Sequence, residues 1–321
     1  MVEKIATRDA YGKALVELGA ENINIVVLDA DLSKSTKTAD FAKKYPERFF
    51  NMGIAEQNLM GFSAGLAASG KIPFASTFAV FAVGRAFEQV RNSIAYPKLN
   101  VKIAATHAGI SVGEDGASHQ AIEDIALMRA VPNMTVLVPS DAEETRQIVR
   151  AAAEYKGPVY IRMGRLGVPV LYDDSYKFAI GKASILREGR DVAVFAIGLM
   201  VAEALTAAEI LSKKGIEVTV VNCASVKPID QETIIKVLKK TGAAVTAEEH
   251  NVIGGLGSAV AEVLAENYPV PLKRIGINDT FGESGKPAEL LEKYGLTSQH
   301  IISAVKEIIK KKDRLLKMDK I

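Results

Sequence analysis

Short apolar runs alternate with helical patterns along most of the chain. The runs have a length and a valine, isoleucine and phenylalanine content typical of buried strands. In the first half the predicted strands are 24–28, 49–52, 71–78, 101–105, 135–138 and 159–162. Helical patterns at 56–69, 86–94, 121–130 and 141–155 lie between them. Strands that alternate with helices predict βαβ units, and therefore parallel sheets with helices on both faces.

The stretch 166–189 interrupts this alternation. It contains Gly167, Pro169 and Gly181, residues that commonly end regular elements, and we interpret it as a linker. Beyond it the alternation resumes with strands at 191–197, 217–221 and 244–247 and helices at 201–214, 230–241, 287–294 and 298–311. The sequence therefore predicts an α/β protein of two doubly wound, three-layer α/β/α domains, 1–165 and 190–321.

Composition excludes several classes of function. The 321 residues carry 40 Lys and Arg against 38 Asp and Glu, so the net charge of +2 gives no electrostatic reason to expect a nucleic-acid partner. The chain has no apolar stretch of about 18 residues and no apolar signal core in its first residues, so we expect a cytoplasmic location and no membrane partner. The single cysteine, Cys223, is expected to be a buried structural thiol.

Two of the four histidines lie in one glycine-bearing segment between a predicted strand and a predicted helix. His107 and His119 are its ends, and Glu114 and Asp115 lie between them. In parallel α/β sheets, ligands bind beyond the carboxyl ends of the strands. Imidazoles and carboxylates at such a position suit proton transfer and the recognition of hydroxyl or phosphate groups. A glycine-rich turn in which Ser118 caps the next helix would explain any single residue, but it explains the whole cluster poorly.

A carboxylate and two aromatic rings are the other candidates. Glu56 begins a predicted helix, where the helix dipole favours a negative charge, so an ordinary explanation exists. A carboxyl at this point would also form a charge-assisted hydrogen bond with a heteroaromatic nitrogen. Phe78 and Phe81 lie about one helical turn apart, a spacing that usually reflects core packing but would let two rings wall a flat aromatic ligand.

Other motifs are weak. The sequence has no zinc-type Cys/His spacing and no Walker phosphate loop, and no metal ligand is expected in this chain. The glycines at 254–257, just after His250, precede a helical pattern but lack the full dinucleotide fingerprint. We interpret them as a point of tight chain packing.

Together, these segments resemble the transketolase family of thiamine diphosphate enzymes. The most specific motif is Gly-Glu-Asp-Gly at 113–116 followed by Ser-His-Gln at 118–120, and the segment around Glu56 is the second. The resemblance covers nearly the whole chain, as a pyrimidine-binding domain followed by a C-terminal domain.

The resemblance implies how the cofactor would be bound. Glu56 would hydrogen-bond N1′ of the aminopyrimidine of thiamine diphosphate and so activate the cofactor. Phe78 and Phe81 would flank the pyrimidine ring, and Asp31 would lie near the thiazolium. His119 would lie beside the cofactor amine and the substrate. Glu56 and His119 are therefore expected to be catalytic.

The resemblance also implies the substrate contacts. His107 and Asp115 would contact sugar hydroxyls, and His107 would take part in catalysis. Arg8, Ser35 and Arg165 would bind the sugar phosphate. Guanidinium groups suit phosphate because their donors form a planar fork.

One part of the family's site has no counterpart in this sequence. In the family, a separate N-terminal domain with a Gly-Asp-Gly motif and Asn ligands holds the diphosphate and Mg²⁺. Residues 114–116 belong to the substrate loop instead. We therefore predict the C-terminal subunit of a two-subunit transketolase acting on sugar phosphates. The Mg²⁺ site is expected on an N-terminal partner subunit, with this chain a dimer within a heterotetramer.

Three alternatives remain. A deoxyxylulose-phosphate-synthase-like protein has similar motifs but usually forms one longer chain, and its counterpart of His107 commonly differs. A 2-oxoacid dehydrogenase β-type subunit shares the domain order but lacks the full 113–120 pattern. A non-catalytic partner subunit would explain the missing metal module, but it would not need the set Glu56, His107, Asp115 and His119.

Overall fold

The computed structural model describes residues 3–318, with the side chain of Leu316 left aside. Met1 and Val2, part of the segment expected to lack a signal core, and residues 319–321 at the end of the predicted second domain lie outside this range. No helix within 3–318 is long and apolar enough to cross a membrane.

Within this range the chain forms fourteen strands and twelve α-helices. The strands are β1 (Lys4–Ala6), β2 (Ile25–Asp29), β3 (Phe49–Asn51), β4 (Ile72–Phe78), β5 (Lys102–Thr106), β6 (Thr135–Leu137), β7 (Val159–Arg162), β8 (Gly167–Pro169), β9 (Ser184–Arg187), β10 (Val192–Ala196), β11 (Val218–Asn222), β12 (Ser225–Lys227), β13 (Ala244–Asn251) and β14 (Leu272–Ile277). The helices are α1 (Thr7–Glu21), α2 (Ser33–Thr36), α3 (Ala39–Lys44), α4 (Glu56–Ala68), α5 (Ala79–Gly84), α6 (Asp124–Ala130), α7 (Ala142–Glu154), α8 (Met200–Ser212), α9 (Gln231–Thr241), α10 (Leu256–Asn267), α11 (Pro287–Lys293) and α12 (Ser298–Met318).

The first sheet has seven strands in the order β12-β6-β7-β5-β4-β2-β3. All are parallel except β12, which runs antiparallel to β6. The register places Asp29 beside Asn51 and Ser76, and Phe78 beside Thr106. The carboxyl ends of β2, β3, β4 and β5 therefore meet at one edge, and the residues that follow these strands are brought together there.

The second sheet has five strands in the order β14-β13-β10-β11-β9, parallel except for β9. Helices α8 and α12 pack on one face, and their side chains join the core with Val194, Val220 and Val245. Together with the first sheet, this confirms the predicted α/β class.

The two domains share one apolar core. Alternate residues of a strand face opposite sides of its sheet. Ile25 and Val27 of β2 pack in one core cluster, and Val26 and Leu28 pack in another. The cluster that contains Val26 continues into the second domain as far as α10. The second domain also contributes β12 to the first sheet, so the domains are joined by both packing and backbone pairing.

Several elements differ from the predicted ones. The predicted linker 166–189 contains β8, which pairs with β1, and β9, which lies at the edge of the second sheet. The predicted helix 86–94 is replaced by α5 and a π-helix at Gln89–Ala95. Helix α1 was not predicted: its buried face includes Gly12 and Gly19, where a Cβ would lie 2.5 Å from Lys37 and Tyr45 respectively. Small residues allow this close packing but give a weak apolar pattern.

Candidate active site

His107 lies directly after β5, at the edge where the parallel strands end. Its φ of +56° is left-handed, which is uncommon for a residue other than glycine. The side chain is buried, and its ring stacks on Phe78 with 3.8 Å between ring centroids. The stack connects the first residue of the loop from His107 to His119 with the last residue of β4.

The hydrogen bonds of His107 define its tautomer. Nε2 lies 3.1 Å from Nη1 of Arg8, and a guanidinium can only donate, so Nε2 accepts. Nδ1 therefore carries the proton and donates to Oγ1 of Thr106 at 2.9 Å. Burial, followed by the nearby charges of Arg8 and Arg165, lowers the pKa of His107 to about 3. His107 is therefore neutral at physiological pH and offers hydrogen bonds rather than charge.

Two guanidinium groups lie beside His107. Arg8 of α1 also donates to the carbonyl oxygen of Ser35 at 3.0 Å. Arg165 donates to the carbonyl oxygen of Val112 and to Glu114, at 3.2 Å from the latter. Burial lowers the pKa of Arg8, and the charge of Arg165 contributes to the same shift. The predicted phosphate-binding residues are thus close enough to form one cationic region, although Glu114 neutralises part of it.

Glu56, the first residue of α4, has a side chain only 4% exposed and pairs with a residue that was not predicted. Nη1 of Arg85 donates to its carboxylate at 3.0 Å. The same guanidinium lies over the ring of Phe81, 3.9 Å from the centroid. A planar group with N–H donors therefore already occupies the ring face and the carboxylate oxygen. These are the contacts that an aminopyrimidine would need, so the residues present fit that part of thiamine diphosphate.

The rings of Phe78 and Phe81, which are predicted to flank the pyrimidine ring, pack on each other in this structure. The centroids of Phe78 and Phe81 are 5.9 Å apart with an interplanar angle of 16°. A ring between them would need two stacking contacts of about 3.5 Å each, or about 7 Å in all. Phe78 ends β4 while Phe81 lies in α5, and the turn between strand and helix brings the rings face to face. The surface offered to a flat ligand is therefore the side of Phe81 that Arg85 covers.

The other predicted residues lie around this centre. The ring of His119 meets that of Phe81 edge-on, with 5.3 Å between centroids, and its Nδ1 is 3.0 Å from Oγ of Ser118. Ser118 does not cap the next helix, because α6 begins only at Asp124. Asp31 has a φ of +64° and accepts a hydrogen bond from Asn51.

Both predicted carboxylates at the rim, Asp31 and Asp115, belong to exposed residues. Asp31 follows β2 and Asp115 lies on the loop that runs from His107 to His119. The structure therefore brings the predicted aromatic and histidine residues into contact with one another, and Arg85 links Phe81 to Glu56. The two carboxylates, Asp31 and Asp115, lie at the periphery of this group.

Arg85 and the contacts of the second domain with the substrate loop were missed by sequence reasoning. Arg85 did leave a signal, because it follows Phe81 by one helical turn and is the one charged residue in the otherwise apolar run 78–87. Gln120 belongs to the motif at 118–120, but its contacts left no signal. Its Nε2 donates to the carbonyl oxygens of Ile110 and Glu283, and Glu283 is distant in sequence.

Comparisons with known proteins agree with this geometry. The family model described as "Transketolase, pyrimidine binding domain" matches residues 3–169, and the one described as "Transketolase, C-terminal domain" matches residues 181–301. Fold and site thus define a chain with a pyrimidine-binding α/β domain followed by a second α/β domain. It belongs to the transketolase family, as predicted.

Three similar proteins match over almost their full length. A "Putative transketolase C-terminal section" of Methanocaldococcus jannaschii is 57% identical, with 95% of this chain and 96% of that protein covered. A "6-deoxy-6-sulfo-D-fructose transketolase subunit SqwH" of Clostridium sp. is 45% identical, with 95% of each covered. A solved structure titled "Split gene transketolase, inactive beta4 tetramer" has a TM-score of 0.90 and 65% identity, with 95% of this chain and 99% of that chain covered.

Proposed function

We propose that this chain is the C-terminal subunit of a two-subunit, thiamine diphosphate-dependent transketolase. It would transfer a two-carbon ketol unit from a ketose phosphate to an aldose phosphate. The observation that carries the proposal is the convergence of three features at one sheet edge. These are the buried carboxylate of Glu56, the stack of Phe78 with Phe81, and the cationic region around His107.

Glu56 and Phe81 are the residues that would hold the aminopyrimidine. When bound, thiamine diphosphate supplies the electron sink for cleaving the bond next to a ketose carbonyl. Glu56 would form a hydrogen bond with N1′, and its burial makes this bond stronger than it would be in water. Because Arg85 now donates to Glu56 and covers Phe81, its side chain has to move aside for the ring.

The histidines would handle protons and hydroxyl groups of the sugar. His107 is held neutral, with its proton on Nδ1, so Nε2 can accept from a sugar hydroxyl in place of the bond from Arg8. His119 uses Nδ1 toward Ser118, which leaves Nε2 for the substrate or the cofactor amine. Asp115, on the same loop, is proposed to contact a sugar hydroxyl, and Asp31 to lie near the thiazolium.

Arg8, Ser35 and Arg165 would bind the anionic end of the sugar. Guanidinium groups bind tetrahedral oxyanions through paired donors. One relative is named for a 6-deoxy-6-sulfo-D-fructose substrate. We propose a phosphate because the resemblance to the transketolase family implies a sugar phosphate at these residues.

A second subunit is needed to complete the proposed site. Among residues 3–318 no three Asp, Glu, His or Cys side chains are arranged to hold a metal ion. We propose that an N-terminal partner binds the diphosphate and Mg²⁺, and that two copies of each subunit assemble in the cytoplasm. The relative named as a C-terminal section and the solved structure titled as an inactive beta4 tetramer support a division between subunits.

Reconstitution tests the proposal. The full chain is assayed for ketol transfer from a ketose phosphate to an aldose phosphate, alone and after mixing with the candidate N-terminal subunit, thiamine diphosphate and Mg²⁺. We expect no transfer by the isolated chain and transfer by the mixture. Substantial activity of the isolated chain would contradict the division of the site, and an inactive mixture that has formed a complex would contradict the proposed reaction.

A further inference from the structure

The second domain holds the loop that carries His107 and His119. The backbone N–H of Ser111 donates to Oε1 of Glu249, a residue of β13, at 2.6 Å. Gly109 packs against the same carboxylate: a Cβ at this position would lie 2.2 Å from Cδ of Glu249. The φ of +83° at Gly109 also favours glycine. The loop backbone and the Glu249 side chain are therefore fitted to each other.

Glu249 is itself fixed from the first domain. Arg162 donates from Nη2 to the Glu249 carbonyl oxygen at 2.9 Å and from Nε to Asp124 at 2.8 Å. Nη2 also donates to the carbonyl oxygen of Ala121, just beyond the loop. Glu249 is 4% exposed and Arg162 is 5% exposed, so water competes little for these bonds. At Ser111 the loop is thus held by a buried polar network of Glu249, Arg162 and Asp124.

We propose that Glu249 is a positioning residue for the transketolase reaction. Its carboxylate holds the backbone at Ser111, and through it the loop that presents His107 and His119 to the sugar. The inference rests on the proposed function, since the two histidines matter only if the sugar binds there. It goes further by giving the second domain a defined part in the site.

The charge of the Glu249 carboxyl changes near neutral pH. Burial raises the pKa of Glu249 to about 7, although Arg162 and the hydrogen bonds from Ser111 partly oppose the shift. Asp124 is the other charged group that faces it, and it raises the pKa further. A protonated carboxyl accepts a weaker hydrogen bond than a carboxylate. The loop is therefore held more firmly above pH 7 than below it.

The neighbouring residue supplies a matched control. Glu248 is as buried as Glu249, and burial raises its pKa to about 7 as well. Successive residues of a strand face opposite ways, and Glu248 accepts from the backbone N–H groups of Leu256 and Gly257 at the start of α10. A Cβ on Gly255 would lie 2.0 Å from its Oε2, which supports the predicted packing role of these glycines. Glu248 thus holds the N-terminus of α10, a helix of the second domain.

The experiment compares Glu249→Ala, Glu249→Gln and Glu248→Gln in the full chain. In the complex with the N-terminal subunit, Glu249→Ala should lower kcat/KM by about 10- to 100-fold, because small displacements of reacting groups are costly. Glu249→Gln keeps the shape and one acceptor oxygen, so it should recover most of the loss but remove the change in kcat/KM near pH 7. Glu248→Gln should leave kcat/KM within about twofold.

Amide hydrogen exchange of residues 107–119 in the isolated full chain gives a second readout, which does not depend on activity. Exchange should be faster in Glu249→Ala and unchanged in Glu248→Gln. The proposal would be overturned if a folded Glu249→Ala showed the exchange and kcat/KM of the wild type. It would also be overturned if Glu249→Ala and Glu248→Gln lost kcat/KM equally. If the alanine variant fails to fold, a Glu249→Gln enzyme that keeps the wild-type pH profile would overturn it. Absence of ketol transfer in the wild-type complex would instead refute the proposed function.

Discussion

The two domains use the same edge of the same kind of sheet in opposite ways. In the first domain the carboxyl ends of β2 to β5 open toward the candidate site, where Arg85 has a side chain 50% exposed. In the second domain the equivalent ends are covered. Asn222 at the end of β11 donates to Glu144, and Glu249 holds Ser111. A Cβ on Gly198 would lie 3.5 Å from Val138.

This difference shows that a parallel sheet edge becomes a ligand site only where the packing leaves it open. The polar residues of the covered edge are paired with the first domain, so they support the neighbouring site rather than form one of their own. Substitutions at the open edge should therefore change activity more than stability, and those at the covered edge should change stability first, apart from the anchor Glu249.

The largest expected effect is at the open edge. Glu56→Gln should lower ketol transfer by the complex by at least about 100-fold, because it removes the carboxylate from the proposed activating hydrogen bond. Its melting temperature should stay close to that of the wild type. Glu248→Gln, which replaces a buried carboxylate inside the second sheet, should leave activity close to that of the wild type. Similar activity losses in the two variants would remove the distinction between the edges.

A buried ion pair at the covered side should dominate stability. Asp124→Ala leaves the guanidinium of Arg162 buried without its carboxylate partner, which typically costs about 3–5 kcal/mol. The control is Glu17→Ala, which breaks a partly exposed pair with Arg150 and should cost less than about 1 kcal/mol. Urea unfolding of the full chain measures both. Equal free energies of unfolding in the two variants would contradict the buried network.

The anionic end of the substrate should be recognised by Arg8. Arg8→Ala should raise KM for a ketose phosphate by about 10- to 100-fold, the value of one charged hydrogen-bonding group. The effect should be smaller for the corresponding unphosphorylated ketose. Arg150→Ala, a substitution at a surface ion pair on α7, should leave KM unchanged. An equal effect of Arg8→Ala on both ketoses would exclude a phosphate contact.

The smallest expected effect is the pH dependence of stability. Glu248 keeps its proton up to about pH 7 in the folded chain, whereas the unfolded value is near 4.5, so its contribution to stability is present below pH 4.5 and is lost as pH rises to 7. The lowered pKa values of His107 and His250, about 3 and about 4, act oppositely, and their effect is complete by about pH 6.5.

The two buried glutamates should therefore lower the stability of the wild type mainly between about pH 4.5 and pH 7. Glu248→Gln should lose less over the same range, and thermal unfolding at several pH values measures the difference. Parallel curves for the two proteins would show that Glu248 does not titrate there.

Part of the open edge was accessible from sequence. A strand followed by a polar, glycine-bearing segment predicted that His107 and His119 lie beyond the end of a parallel strand. The joint role of Glu56 and Phe78 came from the family resemblance. The spacing of Phe78 and Phe81 did not reveal their contact, because a change from strand to helix lies between them. Arg85 was visible as a charge in an apolar run, but its pairing with Glu56 depends on the fold.

The covered edge was not accessible. The bond from Ser111 to Glu249 joins residues 138 positions apart, and no local pattern specifies such a contact. The same holds for β12, which leaves the second domain to pair with β6. Helix α1 was missed for a different reason, since glycines on its buried face weaken the apolar stripe that sequence reasoning depends on.

The central claim is that Glu56 activates the cofactor, and the exchange rate of the C2 proton of bound thiamine diphosphate tests it most directly. The measurement compares the wild-type complex with a Glu56→Gln complex that retains the cofactor, by following the loss of the proton into deuterated water. We expect exchange of the C2 proton to be at least about 100-fold slower in the Glu56→Gln complex. Equal exchange rates in the two complexes would contradict this claim.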